Sequence, residues 1–194
     1  MFDVPLVRHL TYSELEAALP AVLKSPTDEG TLDLIVRRPA VGRREVLASA
    51  ELDLETGLVG DTWNLRSSTR TADGSAHPDM QINVMNSRVI EMIAGDKSRW
   101  GLAGDQLYVD FDISAANVPP GTQLAIGTAV IVVTDQPHTG CAKFVQRFGV
   151  DAMKFVNSPK GRQLHLRGIN ARVVVPGHIQ AGDRVTKLAG VRRR

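Results

Sequence analysis

The pattern of apolar and polar residues changes near residue 30 from a helical period to a strand period. Apolar residues between Leu15 and Leu23 recur at helical spacing, and Ser13 followed by Glu16 predicts a capping box at the start of this helix. Pro20 is expected to kink or divide the helix, because proline removes a backbone donor. The N-terminal part of the chain is therefore predicted to be helical.

From Thr31 onward the pattern is typical of short strands. Apolar residues alternate with other residues in the segment VLASAELDL, which predicts one strand over 46–54. Further strands are predicted in LDLIVRR, QINVM, QLYVDFDI, LAI, AVIVVT, INARVVV and RVTKL. The polar segment Ser67–Asp79 predicts a long mobile loop, and PGHIQAGD predicts a turn.

Only a few short helices are expected after the first. SRVIEMIAG and CAKFVQRFG each end in glycine, at Gly95 and Gly149, and Val150–Val156 adds another helical turn. Many short strands with few helices favour an α+β fold that is mostly β, a barrel with peripheral helices, over a doubly wound parallel sheet.

The length of 194 residues favours one main domain. We expect a helical N-terminal extension over 1–30, packed on a barrel domain over 31–190, and a basic tail over 191–194. A chain that is 43% hydrophobic and 23% charged is typical of globular proteins. No apolar run reaches the roughly 18 residues of a membrane span, and no secretory signal is evident, so a cytoplasmic protein with no membrane partner is expected.

The charge does not indicate a nucleic-acid partner, because the formal net charge is only +2. Arginines are nevertheless clustered at Arg37, Arg38, Arg43 and Arg44. A solvated strand edge is the simpler interpretation of this cluster, and an anion site is the alternative.

A short motif occurs twice, as Gly57-Leu-Val-Gly-Asp61 and as Gly101-Leu-Ala-Gly-Asp105. The flanking sequences differ, so a structural repeat is not expected. Either both are glycine turns in which aspartate caps backbone amides, or the glycines bring backbone N–H groups close to a ligand that the aspartates orient.

The single cysteine, Cys141, excludes a disulfide within one chain and a multi-cysteine metal site. It follows a predicted strand and begins a predicted helix, with Lys143 close by, an arrangement that favours a reactive or metal-binding thiolate. The alternative is a buried cysteine that acts as a small hydrophobic residue.

Two other cysteine chemistries stay open from the residues alone. A hydrolase would need a base, for which His138, His165 and His178 are candidates that spacing does not separate. A zinc site would use His138, Cys141 and a further histidine, although H-x-x-C spacing alone is a weak signal.

Five segments in order resemble the MOSC domain, which is named for the C-terminal domain of molybdenum cofactor sulfurase. They are GLVGDTWN, QINVMNSRVIEMI, LAGDQLYVD, LAIGTAVIVVTDQPHTGCAKF and LRGINARVVVPGHIQAGDRV, and together they extend over about Leu32–Leu188. The resemblance implies a MOSC-type β-barrel that binds the molybdenum cofactor, a pterin dithiolene with a phosphate.

The resemblance also implies two roles for Cys141. It either ligates molybdenum in an oxidoreductase that reduces N-hydroxylated small molecules, or it carries sulfur as a persulfide in a non-catalytic delivery module. The first requires an electron-donor protein and the second a sulfur donor. Pyridoxal phosphate is not expected in this chain, and a degenerate member without the ligand is a further alternative.

Site residues follow from the resemblance position by position. The residues expected near the cofactor are Asp61, Arg66, Asp105, Gln106, His138, Thr139, Gly140, Lys143 and Arg167. The chain departs from the family at two places: Asp105-Gln106 stands where many members have Glu-Asn, and Gly140 stands where many have proline. The second departure is expected to loosen the turn before Cys141.

Overall fold

The main feature of the computed structural model, which describes residues 8–189, is a closed barrel of seven strands. Around the barrel the strands follow the order β1, β11, β7, β8, β9, β5 and β6, and β6 pairs with β1 to close it. Their bounds are β1 Glu29–Arg37, β5 Ile82–Asn86, β6 Leu107–Asp110, β7 Gln123–Ile126, β8 Ala129–Val133, β9 Ile169–Val175 and β11 Arg184–Lys187. The barrel is mixed, because β5 and β6 are parallel while the other barrel pairs are antiparallel.

Four more strands lie outside the barrel. β2 (Glu45–Leu47) pairs with β1, and a separate three-stranded sheet consists of β3 (Ser49–Asp53), β4 (Gly57–Leu58) and β10 (Gly177–Gln180). The closed barrel with peripheral helices confirms the predicted fold class.

The helices pack mainly on one side of the barrel. They are α1 Tyr12–Val22, α2 Ser87–Ala94, α3 Ala142–Phe148, α4 Val150–Asn157 and α5 Pro159–Gln163, with 3₁₀ helices at Trp63–Leu65, Pro78–Met80 and Lys97–Ala103. α1 contacts both α2 and α4, and α3 contacts α4. Within residues 8–189, none of these helices has the length and apolar character needed to span a membrane.

Strands β1, β5 and β6 are buried on both faces, because each separates two hydrophobic cores. On β6, Leu107 and Val109 point into the barrel, whereas Tyr108 packs among the helices. On β5, Val84 belongs to the barrel core and Met85 to the helical core. Side chains alternate across a strand, so strands in this position read as continuous apolar runs.

The start of α1 corrects the predicted capping box. The box is formed by Thr11 and Glu14, two residues before the predicted pair of Ser13 and Glu16: Thr11 Oγ1 accepts from Glu14 N–H, and the Glu14 carboxylate accepts from Thr11 N–H at 2.8 Å. Pro20 does not divide the helix, which continues to Val22. Proline near the last turn forfeits only one intrahelical bond, and the buried residues of this face keep the helix packed.

The strand predicted over 46–54 is two strands in two different sheets, since β2 pairs with β1 and β3 pairs with β10. The predicted strand QLYVDFDI is shorter and ends at Asp110. The predicted turn PGHIQAGD contains β10, and a full helix, α4, occupies the position of the single predicted turn. These differences arise because pairing partners distant in the sequence decide where a strand ends.

The domain boundaries stay predictions. α1 lies within 1–30 and β1 begins at Glu29, while the tail 191–194 lies outside the described residues.

Candidate functional site

The aspartates of the two G-L-x-G-D motifs lie in buried ion pairs. Asp61 pairs with Arg38, the residue after β1, and their side chains are 0% and 2% exposed. Asp61 Oδ1 accepts from Arg38 Nη2 at 2.7 Å and from Trp63 N at 2.8 Å, and Oδ2 accepts from Arg38 Nε at 2.8 Å and Arg38 N at 2.9 Å. A carboxylate has about four acceptor positions, so those of Asp61 are used within the protein.

The second motif repeats this arrangement with a different arginine. Asp105 is fully buried and accepts from Arg167 Nη1 at 2.8 and 3.0 Å, while Arg167 Nη2 donates to the carbonyl of Ala103 at 2.9 Å. Burial raises the pKa of Asp105, and Arg167 opposes that shift. The Nε of Arg167 is buried and has no hydrogen-bond partner among the described residues.

The turn interpretation of the repeated motif applies at Asp61, whereas the ligand interpretation stays a prediction. Asp61 caps a backbone amide, as in the turn interpretation, and Gly60 and Gly104 both have positive φ, at 80° and 95°. Each aspartate also holds an arginine. The expectation of a solvated strand edge is wrong for Arg38, because its side chain is buried and paired with Asp61.

A polar network behind the ion pairs joins the segments of the site. Arg38 Nη1 donates to Asn83 Oδ1 at 3.0 Å and to the Gly104 carbonyl at 2.8 Å, and Asn83 Nδ2 donates to Asn170 Oδ1 at 2.6 Å. Gln106 is fully buried, accepts from Asn83 N and donates to the Gln81 carbonyl. The loops around β1, β5, β6 and β9 are therefore held at fixed relative positions.

The structure thus places Asp61, Asp105 and Gln106 behind the surface of the site, where their polar atoms bind other protein groups. Their predicted contacts with a cofactor stay predictions. Asn83 and Asn170 were missed by the sequence reasoning, and Arg38 was named only as a member of the arginine cluster, since only the fold brings these three segments together.

A cleft of about 240 Å³ opens beside the second ion pair. The segment between β8 and α3 forms one wall, and the segment from α5 into β9 forms the other. Its lining residues are Pro120, Thr134, Asp135, Gln136, Pro137, His138, Thr139, Val156, Gly161, Arg162, His165, Arg167, Gly168, Ile169 and Asn170. Three of the predicted site residues, His138, Thr139 and Arg167, are brought together here.

A second cleft of about 150 Å³ lies on the other side of the Asn83–Asn170 hydrogen bond. It is lined by Trp63, Arg66, Ser67, Ser68, Ala76, His77, Met80 and Asn83. Its loop is tied to the wall of the first cleft, because Arg70 Nη1 donates to Gln136 Oε1 at 3.1 Å and Thr134 Oγ1 donates to the Asp79 carbonyl at 2.6 Å. These two hydrogen bonds hold the walls of the two clefts at fixed relative positions.

His138 is held in the wall of the first cleft with its side chain 13% exposed. Burial lowers its pKa well below the ordinary value of 6.5, and the positive charges of Arg167 and Arg38 lower it further. Asp105 Oδ1 lies 3.5 Å from His138 Nδ1, but this is too long for a strong hydrogen bond and Arg167 already offsets that charge. His138 is therefore a neutral imidazole at pH 7.

Positive charge is concentrated around Gly104. A Cβ placed on Gly104 would lie 3.7 Å from Arg44 Nη2 and 3.9 Å from Arg147 Nη1, so both guanidinium groups are close to this glycine. Burial, with Arg147 and Arg38 close by, lowers the pKa of Arg44. Partial desolvation, with Arg38 close by, lowers the pKa of Arg66 to about 10. Among residues 8–189, no carboxylate forms an ion pair with Arg44, Arg66 or Arg147.

The arginines of this cluster were only partly anticipated. Arg66 was predicted from the resemblance, and Arg44 belonged to the sequence cluster for which an anion site was the alternative. Arg147 had no signal in the sequence, because helix α3 brings it to Gly104 from a distant segment. Arg44 Nε is buried without a hydrogen-bond partner in the described part of the chain.

Cys141 is exposed and is the N-cap residue of α3, directly after the loop that lines the first cleft. Its carbonyl accepts from Phe144 N at 2.9 Å and Val145 N at 3.1 Å. Phe144, on the same helix, stacks against Arg167, with 5.1 Å from the guanidinium carbon to the ring centre. α3 therefore links the cysteine to both the second ion pair and the cationic cluster. Lys143 is on this helix and is exposed.

Two of the three histidines considered as bases for Cys141, His138 and His165, line the first cleft. The Nδ1 of His165 lies 2.7 Å from the Ile113 carbonyl. His178 bonds to Thr128 before β8, whereas the cysteine loop follows β8, and a five-residue strand of about 3.3 Å per residue separates the two. Between residues 8 and 189, no three or more His, Cys, Asp or Glu side chains lie close enough to hold a metal ion, so the zinc site is not assembled there.

Comparison with known proteins was made for both sequence and structure. The sequence profile of the MOSC domain matches residues 71–186. A search of curated proteins gave no significant match.

Among solved structures, the YuaD protein from Bacillus subtilis superposes with a TM-score of 0.61 at 13% identity, over 81% of this chain and 94% of that one. YiiM from Escherichia coli superposes with a TM-score of 0.54 at 19% identity, over 83% of this chain and 71% of that one. At sequence identities this low, the structural similarity shows that the chain shares the fold of these proteins and nothing more specific.

Proposed function

The chain belongs to the MOSC domain family, and from this premise we propose that it binds the molybdenum cofactor. We further propose that Cys141 ligates the metal and that the protein is an oxidoreductase acting on N-hydroxylated small molecules. In that reaction the N–O bond of the substrate breaks, and two electrons and two protons convert the hydroxylated nitrogen into an amine and water. The electrons come from a separate donor protein.

The observation that carries this proposal is the excess positive charge around Gly104, near the C-terminal end of the helix whose N-cap is the exposed Cys141. Arg44, Arg66 and Arg147 have no carboxylate partner within residues 8–189, and Arg44 Nε is a buried donor without an acceptor. A phosphate would supply both the missing charge and the missing acceptor. The donor set therefore fits the anionic end of the cofactor.

The remaining contacts follow from the two clefts. Arg66 and the arginines near Gly104 would hold the phosphate, while polar groups of the first cleft, including Thr139 and His138, would face the pterin. When bound, the cofactor would supply a redox-active metal for the two-electron reduction of the substrate. Cys141 would meet that metal, since it is exposed and lies two residues after Thr139, the last residue of this segment to line the first cleft.

The buried ion pairs would hold the groups of this site in position before a ligand binds. Asp105 orients Arg167 and Asp61 orients Arg38, so that the guanidinium groups keep their positions before any ligand arrives. Groups that are fixed in advance lose less conformational entropy on binding. His138 is neutral, so it adds hydrogen-bonding capacity without adding a further charge.

A sulfur-carrier function is the second candidate, and the exposure of Cys141 is the observation that favours it. A persulfide must be accessible to a donor and an acceptor protein, and an exposed cysteine on a helix cap meets that requirement. This function predicts one added sulfur atom on Cys141 by mass spectrometry, and no reduction of hydroxylamines with any electron donor.

Metal analysis separates these functions. Protein purified from a host that makes the cofactor is expected to contain molybdenum close to one per chain and to release a fluorescent pterin. Cys141→Ser is expected to abolish reductase activity. Loss of the metal without any loss of reductase activity would contradict the oxidoreductase proposal.

A charge variant tests the anion site separately. The double variant Arg44→Met, Arg147→Met is expected to retain much less molybdenum and pterin than the wild type. Arg184→Met is the matched control, because Arg184 lies on β11 with its side chain 71% exposed, and it is expected to retain the wild-type content. Equal retention by both variants would remove the support for a phosphate site at Gly104.

A further inference from the structure

We propose that Asn157 is the positioning residue for Cys141, which it holds in place by clamping the preceding residue, Gly140. The Gly140 N–H donates to Asn157 Oδ1 at 2.9 Å, and Asn157 Nδ2 donates to the Gly140 carbonyl at 3.1 Å. Asn157 is 17 residues away in the sequence, at the end of α4. The inference rests on the proposed function in one respect, that Cys141 is the residue worth positioning.

The clamp acts on the turn before Cys141, which glycine at position 140 was expected to loosen. A side-chain amide that binds both the N–H and the C=O of one residue opposes rotation on both sides of that residue, because rotation breaks a bond in either direction. Cys141 itself makes no side-chain capping bond. The direction of its thiol therefore depends on the backbone that Asn157 holds.

The clamp depends on glycine at position 140. A proline there would have no N–H to donate, so the bond to Asn157 Oδ1 could not form. A Cβ at this position would lie 3.2 Å from Val156 Cγ2, 3.3 Å from Asn157 Nδ2 and 3.4 Å from Met153 Cγ. Gly140 thus permits the close approach to α4, and the expected loosening of this turn is offset by contacts from another helix.

Asn157 is itself held at a rigid corner between two helices. Its carbonyl accepts from Arg162 Nε at 3.0 Å, and the neighbouring Ser158 caps α5 by accepting from Gly161 N. Phe155 and Val156, directly before it, are buried in the helical core. Because Asn157 is anchored to this core, its hydrogen bonds to Gly140 fix the cysteine loop relative to the helices.

The test uses the metal-free protein, so its outcome does not depend on the cofactor. Asn157→Ala is expected to speed hydrogen exchange at the Gly140 amide by about tenfold, since it removes both bonds. A nitroxide attached to Cys141, the one cysteine of the chain, is expected to become more mobile in the same variant. Asn157→Asp keeps an acceptor for the Gly140 N–H and is expected to retain most of the exchange protection.

The matched control is Ser158→Ala, which weakens the same helix corner without touching Gly140. It is expected to leave both signals at their wild-type values. The proposal is overturned if Asn157→Ala leaves the Gly140 exchange and the label mobility unchanged, or if Ser158→Ala changes them equally. A wild-type protein that binds no molybdenum would overturn the proposed function, whereas these two measurements would still decide the role of Asn157.

Discussion

The buried Arg38–Asp61 ion pair predicts that Asp61→Ala reduces stability far more than an ordinary surface substitution. The variant leaves the guanidinium of Arg38 in a site where its side chain is 2% exposed. It also removes the acceptor for the Trp63 amide. Among residues 8–189, only the Asn83 side chain and the Gly104 carbonyl remain as hydrogen-bond partners for the charge.

The expected loss in the free energy of unfolding is about 3–5 kcal/mol, the usual cost of leaving a buried charge without its partner. The chain contains a natural control for this value. Arg88 and Asp110 form the same two-point contact, at 2.7 and 2.9 Å, but their side chains are 32% and 30% exposed. Asp110→Ala is expected to cost only about 1 kcal/mol or less, because solvent screens the exposed charge.

Urea unfolding of four proteins measures the coupling: the wild type, Asp61→Ala, Arg38→Met and the double variant. If the cost of Asp61→Ala comes from the stranded charge, the double variant is no less stable than Asp61→Ala, and the coupling energy is at least about 2 kcal/mol. Costs that add within about 0.5 kcal/mol would refute the reasoning. Equal losses for Asp61→Ala and Asp110→Ala would refute it too, since burial would then make no difference.

Three further predictions concern a titration, the cysteine and a glycine. The pKa of His138 is lowered in the folded protein, so below pH 6.5 the unfolded chain binds one more proton and stability falls as the pH falls. Relative to His138→Gln, the wild type should lose free energy of unfolding at a rate that approaches about 1.4 kcal/mol per pH unit. Parallel pH profiles of the two proteins would contradict this prediction. Cys141→Ser should change the free energy of unfolding by less than about 0.5 kcal/mol, because the residue is exposed; a larger loss in urea unfolding would show a structural role. Gly161→Ala should be strongly destabilising, since its Cβ would lie 2.3 Å from the Phe155 carbonyl oxygen; wild-type thermal stability would contradict this.

The strand pattern was readable because alternating or continuous apolar residues reflect burial on one or both faces. In β6 the apolar pattern predicts a strand but does not show what each side chain packs against. Leu107, Tyr108 and Val109 are all fully buried, yet they face two different cores. The segment 46–54 shows the limit in another way. Its alternation is continuous, but β2 and β3 pair with strands from distant parts of the chain, and the break between them lies at Ala48.

The sequence named candidate site residues where they lie in recognisable motifs. Asp61, Asp105, Cys141 and Arg167 were all identified by the order of motifs, but their partners were not. Arg38 was interpreted as a solvated residue because it belongs to a cluster of arginines, for which a solvated strand edge was the simpler interpretation. The structure reverses that interpretation, because Arg38 is buried beside Asp61. A buried guanidinium is tolerated when a carboxylate offsets its charge, whereas an unpaired one is strongly unfavourable.

The sequence by itself determined that this chain forms a mostly β domain with one cysteine after a strand and two repeated aspartate turns. These features are local, because they depend on residue periodicity, glycine conformations and a short motif. Only the tertiary structure decided that each aspartate is buried against an arginine, that Arg44 and Arg147 meet at Gly104, and that Asn157 clamps Gly140. These contacts join residues far apart in the chain, and their energies depend on burial, which the closure of the barrel and the packing of its helices establish.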